Sequence, residues 1–280
     1  FLFCMIFYGI QLYADFSGCI DILSGFSECL GVRMPDNFRM PFLSRSTQEF
    51  WQRWHITLGA WMRDYVFYPL LKTDAWVRMT SWSRAKWGKR EGKKFPVYVA
   101  LFVLWMGMGL WHGGAWHHVI GVGVWFWTCI VLSMALESPL GKLYRKIGVN
   151  ADSRLHVAVQ VASTFCLVSV GELFFRSGSL GRAVYMVRCT ICGGVIGALR
   201  SSDPGVLGLQ LGDWVAVTYG LCVMIAVGAV ALRAGDIRGW LGGLALPVRW
   251  LAYYGILLSV YVLGSFGSAV RASDFIYARF

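Results

Sequence analysis

An all-helical protein that crosses a membrane several times is expected from three features of this 280-residue chain. Hydrophobic residues make up 57% of it and charged residues only 15%, where a soluble chain of this length has roughly a quarter charged. The apolar residues fall into runs of membrane length, separated by short basic segments. Tryptophans crowd the ends of some runs, Trp111, Trp116, Trp125 and Trp127 among them, as in an interfacial aromatic belt.

The net charge is +11, from 26 Lys and Arg against 15 Asp and Glu. The bases lie mainly between apolar runs, where they set membrane orientation. No soluble basic domain remains once the runs are removed, so nucleic acid is not expected as a partner. Most of the eight cysteines sit inside apolar runs and read as small apolar filler. The pair Cys189 and Cys192 is a single CxxC without a second pair or a nearby histidine, weak grounds for zinc or redox chemistry.

In chain order, Phe1 to Tyr13 reads as the end of a transmembrane helix, so the chain is expected to begin within a longer protein. Asp15, Ser17 and Asp21 follow inside a mostly apolar stretch. They either mark the membrane surface or line a polar cavity, and composition leaves both open. Gly31 to Arg45, with Pro35, Asn37 and Pro41, reads as a loop. Ser46 and Glu49 match a capping box, from which one helix is expected to run to about Leu71. That helix mixes Trp51, Trp54, Trp61, Tyr65 and Phe67 with Arg53, Arg63 and Asp64, and Glu49 and Arg53 are spaced for an ion pair. The mixture suits an interfacial or re-entrant helix. On spacing alone His55, on a face with Trp51, Gly59 and Met62, reads as a satisfied interfacial histidine.

Residues 72–94 carry eight Lys and Arg and read as a basic cytoplasmic loop. Two spans follow, Phe95 to Leu110 and Ala115 to Leu136, before a second basic segment with Lys142, Arg145, Lys146 and Arg154. Two crossings between basic segments place the turn at His112 on the far side, toward the outside. Leu155 to Phe175 is the next span, Tyr185 to Leu199 a short or interfacial helix, and Trp214 to Leu232 a further span. Arg233, Arg238 and Arg249 mark another cytoplasmic loop before the last span, Trp250 to Phe266. The loop after Phe175 is then placed outside although it carries Arg176, Arg182, Arg188 and Arg200.

The soluble-enzyme signatures, a Gly-x-Ser-x-Gly elbow, a Walker loop and HExxH, are missing. Gly107, Gly109, Gly121 and Gly123 lack dinucleotide spacing and read as small residues that let membrane helices approach. His117 and His118 follow His112, but no Cys or carboxylate lies nearby to complete a zinc set, so no metal is expected. His112, in Gly109-Leu110-Trp111-His112-Gly113-Gly114 between two long apolar runs, is costly to place without a reason. A neutral imidazole can take a proton from a hydroxyl that then attacks an ester or thioester carbonyl. The alternative is a structural histidine bonded to a backbone carbonyl at a helix break, and the residues alone leave that reading ahead.

Four blocks resemble the membrane-bound O-acyltransferase family, in its bacterial branch of alginate O-acetylation and teichoic-acid D-alanylation proteins. They are Tyr13 to Gly18 with Asp21, Asn37 to Phe42, Glu49 to Tyr65 (with Arg53-Trp54-His55), and Gly109 to Gly113. Phe174-Phe175-Arg176 and the tail Asp274-Phe275-Ile276-Tyr277 are also similar. Many relatives carry Arg at Gln52 and Ser at Thr57 and Gly59, and the basic insert of residues 72–94 is longer here than in the alginate proteins.

The resemblance implies a helical bundle with re-entrant helices, preceded by several more helices. It implies that His112 is catalytic in an outward-facing funnel and that His55 is a second site residue near the cytoplasmic mouth of a channel. Asp15, Ser17, Asp21, Trp111, Trp54 and Arg53 are the expected substrate-binding residues. No tightly bound cofactor is expected. The donor would be an acyl-CoA or acyl-carrier thioester and the acceptor an extracellular polysaccharide or teichoic acid, with an SGNH-type acyltransferase as partner. The place would be a bacterial inner membrane. A transporter or flippase of an envelope precursor is the alternative from another class, and a scaffold for an envelope complex a third.

Overall fold

The computed structural model describes residues 2–201 and 210–264, with side chains for 4–193 and 210–264. Phe1 and the tail Asp274 to Tyr277 lie outside the described residues. The chain divides into two compact units, Phe1–Ala198 and Leu199–Arg279. Among the described residues every named element is helical, and five helices are long and apolar enough to cross a membrane. They are Lys94–Trp111, Trp116–Lys146, Arg154–Ser177, Leu211–Ala234 and Leu246–Leu263, close to the runs the hydropathy marks. The chain is a multi-pass membrane protein.

In the first unit α1 (Leu2–Cys29) continues helically through Asp15, Ser17 and Asp21 and packs on α9 (Arg154–Ser177). The expected loop over Gly31 to Arg45 is present, with a 3₁₀ turn at Pro41–Leu43. The capping box forms in part. Glu49 N–H donates to Ser46 Oγ at 3.1 Å, but the Glu49 carboxylate accepts from the Arg45 N–H at 2.7 Å instead of from Ser46. Its other oxygen holds Arg53 Nη2 at 2.5 Å.

One long helix from Ser46 to Leu71 does not form. The chain makes α2 (Thr47–Arg53), breaks, then makes α3 (Ile56–Met62), a π-helical stretch (Arg63–Phe67) and α4 (Tyr68–Leu71). The cause is long-range. Arg39 N–H donates to Arg53 O at 2.9 Å and Ile56 N–H to Asn37 O at 3.1 Å, around an antiparallel bridge from Phe38 to Trp54. The loop segment thus takes the backbone groups that a continuous helix would pair internally.

Residues 72–94 are not a loop either. They form α5 (Asp74–Glu91), capped by Thr73 and interrupted at Gly88, where φ is 80°. Ser83, fully buried, donates from Oγ to Gly92 O at 2.6 Å and folds the end of the helix back on itself. Lys86 lies 5.2 Å from the ring centres of both Trp82 and Trp87.

α6 (Lys94–Trp111) and α8 (Trp125–Lys146) form a hairpin through a short α7 (Trp116–His118) and a π-helical stretch (Val119–Val124). The π stretch is wedged between α6 and α9, and glycines make room for it. A Cβ on Gly109 would lie 2.9 Å from Val119 Cα, and one on Gly121 would lie 2.5 Å from Phe174 Cγ. A Cβ on Gly171 would lie 2.7 Å from Phe126 Cε2. Gly107, grouped with them by sequence, has open space around it. Indole N–H groups tie the helices together: Trp127 donates to Tyr98 O at 2.9 Å and Trp125 to Leu167 O at 2.8 Å. The short helix expected from Tyr185 is longer, α10 (Leu180–Ser201).

The second unit holds α11 (Leu211–Ala234), a short α12 (Ile237–Gly242) in the expected basic loop, and α13 (Leu246–Leu263). α11 and α13 leave their apolar side chains uncovered within the unit, as a helix facing lipid does. The Tyr219 hydroxyl on α11 is hydrogen-bonded to Ser259 on α13.

Candidate active site

His55 stands at the break between α2 and α3. Its backbone is left-handed, with φ 48° and ψ 52°, a conformation a non-glycine residue holds only when its surroundings impose it. The paired segment Asn37–Arg39 is what imposes it. Asn37, 7% exposed, presents Oδ1 to three groups. Thr57 Oγ1 donates to it at 2.7 Å, Thr57 N–H donates at 3.2 Å, and His55 Nδ1 lies at 3.3 Å. The edge of Phe16, from α1, meets the imidazole with ring centres 4.7 Å apart.

His112 caps the C-terminus of α6 at the turn between two spans, and its own N–H donates to Met108 O at 3.1 Å. Gly113 and Gly114 follow with φ of 112° and 70°, which turns the chain sharply into α7. A Cβ on Gly113 would lie 3.4 Å from His118 Nδ1, so the glycine also leaves space for that ring.

The two histidines meet through Trp111. Ring centres run His55 to Trp111 at 6.4 Å, Trp111 to His112 at 4.7 Å, and His112 to Phe175 at 4.8 Å. Phe175 in turn lies 4.8 Å from His118. His112 is 8% exposed, while Trp111 is 53% exposed and forms the open side of the row. Among the described residues no group of three His, Cys, Asp or Glu side chains is placed to hold a metal ion.

The other residues singled out by sequence take different places. Trp54 is enclosed, stacked on Phe50 with centres 5.5 Å apart and edged by Phe38 at 5.1 Å. It supports the break at His55 and has no face left for a ligand. Arg53 is engaged by Glu49. Asp15 and Ser17 are half-buried on α1 and Asp21 is exposed. The α1 residue whose ring meets His55 is Phe16. Asn37, Thr57, Phe16 and Phe175 are the neighbours that sequence reasoning did not assign to the site. All four lay inside recognised blocks, but only the fold shows what they touch.

Burial holds both imidazoles neutral. It pushes His55 down to about 4. His112 goes down to about 3, chiefly by burial and further by the charges that His118 and His55 would carry. A base acts through its unprotonated form, so a lowered pKa moves the acid limb of a rate profile downward. A reaction using these rings should keep its rate down to about pH 5.5, where an unperturbed histidine near ~6.5 would already be mostly protonated. A half-loss of rate near pH ~6.5 in membranes containing the native protein would contradict this.

No family model matches the chain. It is 33% identical over 216 residues to a probable alginate O-acetylase, AlgI, of Pseudomonas aeruginosa, covering 74% of this chain and 34% of that protein. It is 24% identical over 268 residues to the peptidoglycan O-acetyltransferase of Helicobacter pylori, covering 82% and 46%. With the teichoic acid D-alanyltransferase of Bacillus subtilis it is 36% identical over 114 residues, covering 40% and 26%. The chain spans about a third of the length of the alginate relatives it matches.

Proposed function

The chain belongs to the membrane-bound O-acyltransferase family, in the branch of bacterial envelope-polymer acyltransferases, and from that membership we propose that it carries the histidine centre of an O-acyltransferase. The observation that carries the reading is the row His55–Trp111–His112. Residues far apart in the sequence come together there, at a strained break and a glycine turn. The Nε2 or Nδ1 lone pair of His112 takes the proton of an acceptor hydroxyl as its oxygen attacks the acyl carbonyl. The tetrahedral intermediate collapses, the thiolate leaves, and the proton returns to it from the imidazolium.

The acyl group is an acetyl group drawn from a cytoplasmic thioester, an acyl-CoA or acyl-carrier protein. The acceptor is a hydroxyl on an extracellular polysaccharide, reached directly or through an SGNH-type partner. The protein lies in the inner membrane of a bacterium, with basic α5 on the cytoplasmic side and the His112 turn toward the outside. Two acetyl-transferring relatives match over most of this chain, which favours acetyl. The shorter but 36% identical stretch shared with the D-alanyltransferase favours D-alanyl transfer to teichoic acid as the second reading.

The experiment compares His112→Gln with the native protein in its host membrane, reading ester-linked acyl groups on the surface polymer. Gln keeps size and polarity but has no basic lone pair at this pH, so acylation should fall to background. A transporter or flippase would tolerate the change, and retained acylation would rule out the assigned role.

A further inference from the structure

We infer that Asn37 is a positioning residue that fixes the tautomer of His55, an assignment that rests on the acyltransfer reading only for its consequence on rate. The acceptor character of Asn37 Oδ1 is set by its neighbours. A backbone N–H can only donate, and Thr57 N–H points at this atom from 3.2 Å. The Thr57 hydroxyl donates to the same atom at 2.7 Å. Asn37 Oδ1 therefore has only acceptor capacity to offer the His55 ring. For the 3.3 Å contact to be a hydrogen bond, Nδ1 must carry the proton. Nε2 then holds the lone pair.

The site is built to keep that choice. Asn37 is buried, so its side chain has little freedom, and its backbone oxygen is held by Ile56 N–H at 3.1 Å. The same bridge between the loop and the helix break holds His55 in its left-handed backbone, with its ring 3.3 Å from Asn37 Oδ1. Phe16 closes one side of the imidazole edge-on. Asn37 and His55 are thus a carboxamide–imidazole pair in which a neutral acceptor selects the tautomer without adding charge. A carboxylate at the same position would select the same tautomer and also favour the imidazolium.

Two variants separate positioning from packing. Asn37→Asp preserves shape and the acceptor, and Asn37→Leu removes the acceptor at similar volume. Solid-state nitrogen NMR on histidine-labelled native protein, with His55→Gln identifying the signal, should show a single Nδ1–H form. Asn37→Asp should keep that form and Asn37→Leu should give a mixture.

Acyl transfer should drop by about 10- to 100-fold in Asn37→Leu, chiefly in kcat. Asn37→Asp should recover most of it, with its acid limb moved to higher pH. A mixed tautomer in the native protein would overturn the assignment. So would an Asn37→Asp variant that is no better than Asn37→Leu and has an unmoved pH profile. The tautomer signal is independent of activity, so a single Nδ1–H form beside a fully active His112→Gln variant would leave this assignment standing while the acyltransfer reading fails.

Discussion

His112→Ala should lower acyl transfer by about three orders of magnitude while the protein stays in the membrane at native level. The size follows from what a positioned base contributes, typically 10²–10⁴-fold. His112 and His118 both pack against Phe175, with ring centres 4.8 Å from it, and Trp111 stands between His55 and His112 in the row of rings. The substitution leaves the backbone turn intact, because the turn is made by Gly113, Gly114 and the Met108 carbonyl. Quantifying ester-linked acyl groups per molecule of membrane-inserted protein checks the prediction.

Gly121→Val should have the largest effect on folding. A Cβ at residue 121 would overlap Phe174 Cβ and lie 2.5 Å from its Cγ, far inside van der Waals contact. Phe174 is 8% exposed and sits on α9 beside Phe175, so it has little room to retreat. Forcing volume into a packed interior costs about 1–3 kcal/mol even where neighbours adjust, and here the helix axis itself must move. The shift would carry Phe175 with it, and with Phe175 the packing of His112 and His118. The expected result is a sharply reduced yield of detergent-stable protein. Gly107→Val on α6, where nothing lies within 4 Å, should be tolerated and serves as the control.

Much of the scaffold was readable from sequence for a simple reason. A membrane-crossing helix must satisfy its own backbone and meet lipid with apolar side chains, so its signal is local. All five spans were visible that way, as were the start of α2 at Ser46 and the value of Gly109, Gly121 and Gly123 as points of close approach. The break at Trp54–His55 was not, because neither glycine nor proline marks it. It is made by hydrogen bonds from Asn37–Arg39, at the other end of a loop. The helical nature of residues 74–91 was hidden for a related reason: their charge dominated the reading, while Thr73 as a cap and the buried Ser83 were the overlooked local cues.

The site divides in the same way. His55, Trp111 and His112 were picked out by motif, and the fold brings them into one row. Trp54 and Arg53, adjacent to His55 in sequence, point into packing and an ion pair instead. α2 ends at Arg53, Trp54 is extended and His55 left-handed, so their side chains diverge. Along a helix such as α1 neighbours diverge by about 100° per residue. Proximity in a motif is therefore a poor guide to which side chain faces the site. Phe16 for Asp15 on α1 is a further instance.

The most direct test uses the native protein in sealed vesicles, with a labelled acetyl thioester trapped inside and a hydroxyl-bearing oligosaccharide, with any required partner, outside. Label should appear on the external sugar with the wild-type protein and vanish with His112→Ala at equal protein and equal vesicle integrity. Equal labelling by the two proteins would contradict the placement of the reaction at His112.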